Sequence, residues 1–246
     1  MNYFYVKGTE HPYAETFTDS TQIGQSGKNK VIATQFQEDD QMFMNVKFFT
    51  TNIDEWVLQN DFTFEKDGVT GIDPIVDDLN GDGYNDFMVT SSLAARGSNE
   101  IRTLFIYDPT GDSLVLIKNS WMYPNLQYNE SMDCITAMLY YRCNSQAFLE
   151  VSGDSLRPFA WIHNNDDFKV LEVDENGNET VLRYDSISPY ECYTYFETLN
   201  QALAGKSSTG LDERLYLDID GLGKEEVLFF LTHDSGCRQL IIKGGD

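Results

Sequence analysis

The chain has 246 residues, of which 41% are hydrophobic and 13% aromatic, enough for one large all-β domain or two small ones. Asp and Glu total 40 against 17 Lys and Arg, a formal net charge of -23 without a basic cluster, which argues against nucleic acid or anionic lipid as a partner and favours a cationic protein or calcium. No apolar run approaches the ~18 residues of a membrane span, and 16 Phe with 14 Tyr suit strands better than helices.

Residues 2–7 alternate and read as an edge strand, with no apolar leader core or cleavage site. Residues 8–30 are polar and read as a long surface connection. Residues 31–36 and 42–50 are expected strands, with Glu38-Asp39-Asp40 as the turn between them. Residues 55–59 and 62–65 look like a short pair closed by Lys66-Asp67-Gly68.

The next stretch organises the rest: Asp78-Leu79-Asn80-Gly81-Asp82-Gly83-Tyr84-Asn85-Asp86. Oxygen-bearing side chains fall at relative positions 1, 3, 5 and 9, with Gly83 at position 6 for the sharp bend. Alternate residues turn oxygens inward around a hard cation, and the Tyr84 carbonyl adds a backbone oxygen. The expected ligands are therefore the side chains of Asp78, Asn80, Asp82 and Asp86, with Tyr84 through its carbonyl, and the expected ion is Ca2+. An EF-hand is ruled out because its twelfth position, a bidentate Glu, is Val89 here. Ile75-Val76 before the loop and Phe87-Met88-Val89-Thr90 after it read as strands. An ion-free acidic turn is the alternative. Three carboxylates held about 5 Å apart would repel by about 3 kcal/mol per pair at an effective dielectric near 20, a cost that a divalent cation removes.

From residue 100 hairpins follow in sequence. Residues 102–107 and 113–117 flank the turn Asp108-Pro109-Thr110-Gly111-Asp112. Residues 119–131 are read as irregular, residues 148–151, 158–163 and 168–173 as strands, and Glu175-Asn176-Gly177-Asn178 as a turn into residues 180–184. One helix is expected near 189–204. Ser188-Pro189-Tyr190-Glu191 has capping-box spacing, Cys192, Phe196, Leu199 and Leu203 form one apolar stripe, and Gly205 stands where a left-handed cap would be.

The tail repeats the loop in weakened form. Asp218-Ile219-Asp220-Gly221-Leu222-Gly223-Lys224-Glu225-Glu226 matches it except that Leu222 replaces Asp82, so the strand–loop–strand unit is expected to persist without a full ligand set. Two such units within one chain indicate a repeated β architecture. Blades of four strands take about 40–50 residues, which permits about five. Residues 240–242 could pair beside the N-terminal strand and close the ring, leaving no open edge.

A calcium loop closed by Asp at position 9 and set between strands resembles the FG-GAP/VCBS repeats of calcium-binding β-propellers. Residues 73–175, through Thr103-Leu104-Phe105-Ile106-Tyr107-Asp108-Pro109 and on to Trp161 and Phe168, also look like a family of bacterial periplasmic propellers. That family is typified by a five-bladed, calcium-binding inhibitor of a lysozyme-like hydrolase. The resemblance implies an all-β propeller of about five blades spanning 1–246 as one domain, with the calcium repeat at 73–92 and the degenerate one at 215–231. One departure is Gly81, where the family often carries an aromatic.

The implied function is a non-enzymatic, periplasmic or cell-surface protein that binds another protein, such as a cell-wall hydrolase. An exported chain whose signal or lipoprotein leader has been removed fits a loop of this kind better than a cytosolic one, because five oxygens bind calcium too weakly to fill at cytosolic levels. A lipid anchor on that removed N-terminus would fit as well. A glycan-binding or adhesion module is the alternative, with Trp56, Trp121 and Trp161 as stacking platforms, although each is expected to pack in the core. A hydrolase is the third. His11, His163 and His233 are scattered, no GxSxG elbow occurs, and no pair of the 40 acids is singled out for acid–base work. Cys134, Cys143, Cys192 and Cys237 match no zinc spacing, leaving buried thiols or a local Cys134–Cys143 hairpin disulfide.

Overall fold

A computed structural model describes residues 14–53, 55–68, 70–190, 192 and 194–204, together with the backbone of three strands within 215–243. The described chain is nearly all β, in antiparallel sheets whose strands follow one another in sequence order. The first sheet is β1 (Ala14–Asp19), β2 (Asn29–Glu38), β3 (Gln41–Asn52) and β4 (Glu55–Lys66). The second is β5 (Ile75–Asp77), β6 (Asp86–Ala94), β7 (Asn99–Asp108) and β8 (Ser113–Leu116). The third runs through six strands: β9 (Gln127–Asn129), β10 (Cys134–Tyr141), β11 (Cys143–Ser152), β12 (Ser155–Asn164), β13 (Phe168–Val173) and β14 (Glu179–Asp185). A short helix, α1 (Leu199–Ala204), follows, and then β15 (Leu215–Leu217), β16 (Glu226–Thr232) and β17 (Arg238–Lys243) form a three-stranded sheet.

The second sheet is buried on both faces, and its sequence shows why. Strands β6 and β7 each contain a continuous apolar run, Phe87-Met88-Val89 and Leu104-Phe105-Ile106-Tyr107, so successive side chains serve opposite cores. Phe87, Val89, Phe105 and Tyr107 face one way and pack against Val31, Ala33, Met44, Val46 and Phe48 of the first sheet. Met88, Leu104 and Ile106 face the other way and meet Ile135, Ala137, Ala147 and Leu149 of the third. Each such side chain removed from water is worth about 1.5–3 kcal/mol. The far face of the third sheet packs Phe148, Phe168 and Val170 under Phe196 and Ala202. Strand β2, buried on one face only, alternates as a half-buried strand should.

Several local expectations change. The 8–30 stretch is not all surface connection. Residues 14–19 are strand β1, and Ile23 is fully buried because the Asp19 carboxylate gathers the amides of Gln22 (2.9 Å) and Ile23 (2.9 Å) into a turn. Residues 55–66 are one continuous strand; a bulge between Asn60 and Leu58 in the pairing with β3 gives the break seen in the sequence pattern. The irregular stretch after 119 contains a 3-10 turn, Ser120–Met122, and strand β9.

The described residues between 189 and 198 are not helical; α1 is confined to Leu199–Ala204. Its capping box is Thr198-Leu199-Asn200-Gln201: Thr198 Oγ1 accepts Gln201 N (3.2 Å), and Gln201 Oε1 accepts Thr198 N (3.4 Å) and, more closely, Glu197 N (2.8 Å). Upstream, the backbone is committed to the third sheet instead. Gln146 bonds both Phe196 N (3.0 Å) and Phe196 O (2.7 Å), and Asn144 donates to Thr194 O (2.8 Å). Cys192 is disulfide-bonded to Cys143, whereas Cys134 is a buried thiol in the third core. The Cys134–Cys143 hairpin bridge does not form because the turn at Arg142 puts these residues at opposite ends of β10: Tyr141 faces Cys143, and Cys134 faces Asn129. The 2–7 strand, most of the degenerate loop at 218–225 and Cys237 lie outside the described residues; strands β15, β16 and β17 match the expected flanks and tail.

Candidate metal centre

The nine-residue loop joins β5 to β6, as the sequence predicts. Its conformation is set by its own carboxylates. Asp78 Oδ1 accepts the amides of Gly81 (2.8 Å) and Asp82 (3.2 Å), and its Oδ2 accepts that of Gly83 (2.8 Å). Asn80 Oδ1 accepts Asp82 N (3.1 Å) and Asn80 Nδ2 donates to Asp82 Oδ2 (3.0 Å). Asp82 Oδ1 in turn accepts Tyr84 N (2.9 Å). Gly81 and Gly83 take φ of +75° and +87°, a region open to glycine at little cost. The structure thus brings Asp78, Asn80 and Asp82 into one bonded chain, curled around by the backbone of residues 79–84.

Asp86 sits at the base of the loop and is wholly buried. Its Oδ2 accepts Leu79 N (3.0 Å) and its Oδ1 accepts Tyr107 N from β7 (2.8 Å). Burial pushes its carboxyl up to about 7, and the Asp82 and Asp78 charges push the same way against the two amides. No Lys, Arg or His ion-pairs with it among the described residues. Tyr84 packs its ring on Tyr107 at 5.5 Å, and Gly24 N bonds Asn85 O (2.9 Å), tying the loop exit to the β1–β2 connection.

The residues fit a hard cation in chemistry: oxygen donors only, three of them carboxylates, with one carboxylate buried and not ion-paired to Lys, Arg or His among the described residues. As placed, their oxygens hold loop amides, and no group of three or more His, Cys, Asp or Glu side chains gathers closely enough to hold a metal among the described residues. Each carboxylate keeps unused acceptor capacity beyond the amides it binds.

Two residues that the sequence pattern did not single out abut the loop. A Cβ on Gly81 would stand 2.3 Å from Asp133 Oδ1 and 2.6 Å from Tyr128 Oη, both from the β9–β10 region. Tyr128 Oη donates to Asp133 Oδ1 (2.6 Å), and that bond pushes the phenol up to about 12. This close approach leaves no room for a side chain at 81, which accounts for glycine where the resemblance led one to expect an aromatic. Nothing in the local sequence marks Asp133, because the contact joins two sheets.

The tryptophans divide. Trp161 packs beside the second core, stacked on His163 at 5.6 Å, whereas Trp121 is 64% exposed and Trp56 39% exposed, so neither of these two is a core residue. His163 Nδ1 meets Ser145 Oγ at 2.8 Å, and burial lowers its pKa. His11 and His233 lie outside the described residues. No helix among the described residues is long and apolar enough to cross a membrane.

No protein-family model matches the chain, and no curated protein matches it. A solved structure described as "Structure of a Xanthomonas Type IV Secretion System related protein" superposes with a TM-score of 0.42 at 13% identity, over 71% of this chain and 96% of that one. A likeness that loose says nothing further about fold or function.

Proposed function

We propose that this is a non-enzymatic, calcium-binding protein of β-propeller type that works outside the cytoplasm by binding another protein, an inhibitor of a lysozyme-like cell-wall hydrolase being the specific form of that reading. One observation carries the calcium assignment: Asp86 closes an oxygen-rich loop while fully buried, with no cationic side chain ion-paired to it among the described residues. Asp78, Asn80, Asp82 and Asp86 would hold the ion with side chains and Tyr84 with its carbonyl. When bound, the ion supplies positive charge among three carboxylates and fixes the β5–β6 connection. The stacked meanders support a propeller, because the first and third sheets cover the two faces of the second as neighbouring blades do, and about five such units would close the ring.

The non-enzymatic part rests on how the donors are used. Asp78 and Asp82 accept loop amides and Asp86 accepts those of Leu79 and Tyr107, a use that suits groups shaping an ion loop better than a catalytic base. Calorimetric titration with CaCl2 tests the metal, and a lysis assay with a lysozyme-like hydrolase tests the partner. Heat of binding lost in Asp86→Asn, together with suppressed lysis, is the expected pair of results. The glycan-binding alternative gains one observation, the exposed Trp121, and a glycan array with Trp121→Ala distinguishes it.

A further inference from the structure

We propose that the edge of β4 is a docking strand for an extended, cationic segment of a partner protein. This deepens the protein-binding reading and rests on it, but needs no metal ion.

β4 is the last strand of its sheet and pairs only with β3 among the described residues. Such an edge presents unpaired N–H and C=O groups, and proteins commonly blunt one by keeping it short, placing lysine or proline on it, or turning charges inward. β4 is 12 residues long and lacks proline. Its one lysine, Lys66, is buried at the far end, donating to Gln35 Oε1 (2.7 Å) and to the carbonyls of Thr70 (2.9 Å) and Gly71 (2.7 Å). Three consecutive apolar residues stand open: Trp56 (39% exposed), Val57 (41%) and Leu58 (46%). Packing against one sheet covers alternate residues, so exposure of all three means that no second sheet covers either face there, although Lys30 Nζ lies over the Trp56 ring at 4.5 Å.

The hairpin tip before β4 continues the surface. Ile53 is 91% exposed and holds φ at +46°, in a position where Asn, Asp or Gly is usual and a β-branched residue is an outlier. An apolar residue kept in an unfavourable conformation without burying itself suits a contact made outside the chain.

Charge selects the occupant. Glu55 and Glu65 stand on either side of the apolar run, Asp61 between them is paired with Lys47 (3.6 Å), and each molecule carries -23 overall. A second copy would set like charges face to face. A strand in which Lys or Arg alternates with aliphatic residues supplies main-chain hydrogen bonds, apolar contact and opposite charge together.

Amide hydrogen exchange on the full chain tests this, with a Lys-Val repeat peptide as probe and a Glu-Val repeat as control. The amides of residues 55–66 that β3 does not hold are expected to slow about tenfold or more with the Lys-Val peptide alone. The effect should vanish in the Trp56→Lys/Leu58→Lys double variant, whose fold is checked by circular dichroism. Slowing elsewhere, equal slowing by the Glu-Val peptide, no slowing, or amides already protected in the free protein would each overturn the proposal. So would protection that rises with protein concentration alone, which places a second copy at the edge. A cationic lysozyme is the second probe. If it binds and leaves 55–66 unchanged, the docking strand is overturned and the protein-binding reading stands. If the peptide protects 55–66 and lysozyme does not bind, the strand stands and the hydrolase reading falls.

Discussion

The Asp133 carboxylate occupies the space beside Gly81 so closely that an added Cβ would lie 2.3 Å from its Oδ1. Two sheets therefore meet at the acidic loop through a residue with no side chain. Gly81→Ala is expected to destabilise by about 2 kcal/mol or more, from the clash and the positive φ together. Gly83→Ala meets nothing within 4 Å, so only its φ of +87° resists, at about 1 kcal/mol. Urea unfolding of both, and of Gly81→Ala with Asp133→Ala, measures the difference; the second change should recover part of the loss. Equal costs at 81 and 83 would mean that the intersheet contact is not made in solution.

Calcium should raise the melting temperature and EDTA should return it to the apo value. An ion bound only by the folded chain stabilises by about 2.7 kcal/mol when its concentration is 100 times Kd. Asp78→Ala and Asp86→Asn should remove the calcium response in differential scanning calorimetry. A melting temperature that ignores millimolar calcium would leave the loop an acidic turn.

Asp112 on the β7–β8 turn joins two sheets. It accepts Asn29 Nδ2 (2.7 Å) from β2, Thr50 Oγ1 from β3 and Tyr107 Oη (2.9 Å) from β7. Partial burial opposes its ionised form, but these three donors hold its pKa below the ordinary 3.8. A lowered carboxyl stabilises the fold above the unfolded pKa and loses that contribution as pH falls through the folded one. Stability should therefore drop as the pH is taken below about 4, and the Asp112→Asn variant should show a shallower drop in urea midpoints across that window. Identical slopes would show that the hub does not form.

The Cys143–Cys192 bridge closes a loop with a sequence separation of 49. The unfolded-chain entropy it removes corresponds to about 4 kcal/mol as an upper figure. Cys192→Ser, or dithiothreitol on the wild type, should lower the denaturation midpoint and speed exchange in the chain leading into α1. The Gln146 and Asn144 bonds to that segment remain, so α1 should stay docked. An unchanged midpoint would indicate that the two thiols are not joined in solution.

Ile53→Asn should raise stability by about 1 kcal/mol, because asparagine tolerates a positive φ that isoleucine resists and the isoleucine side chain buries nothing. Guanidinium midpoints read this directly. A loss of stability would reveal an intramolecular role for the tip.

Much of this molecule was legible in the order of its residues. The turn at 108–112, the strands flanking the acidic loop and the oxygen spacing of Asp78, Asn80, Asp82 and Asp86 are local patterns, written within a few residues of one another. Only the end of the expected 189–204 helix forms: Ser188-Pro189-Tyr190-Glu191 and Thr198-Leu199-Asn200-Gln201 both carry capping spacing, and the choice falls to Gln146 and Asn144, which lie about 50 residues away. The bridge between Cys143 and Cys192 likewise depends on which end of β10 faces the returning chain.

By itself, then, the sequence determined the β character, the acidic surface and the oxygen-lined loop, because strand alternation, net charge and turn chemistry are properties of neighbouring residues. Only the tertiary structure decided that Asp86 would be buried under β7, that Asp133 would stand over Gly81, and that Trp56 would be left bare at an edge. Those outcomes depend on which sheet face meets which, and that choice is made by apolar surfaces from distant segments seeking cover from water.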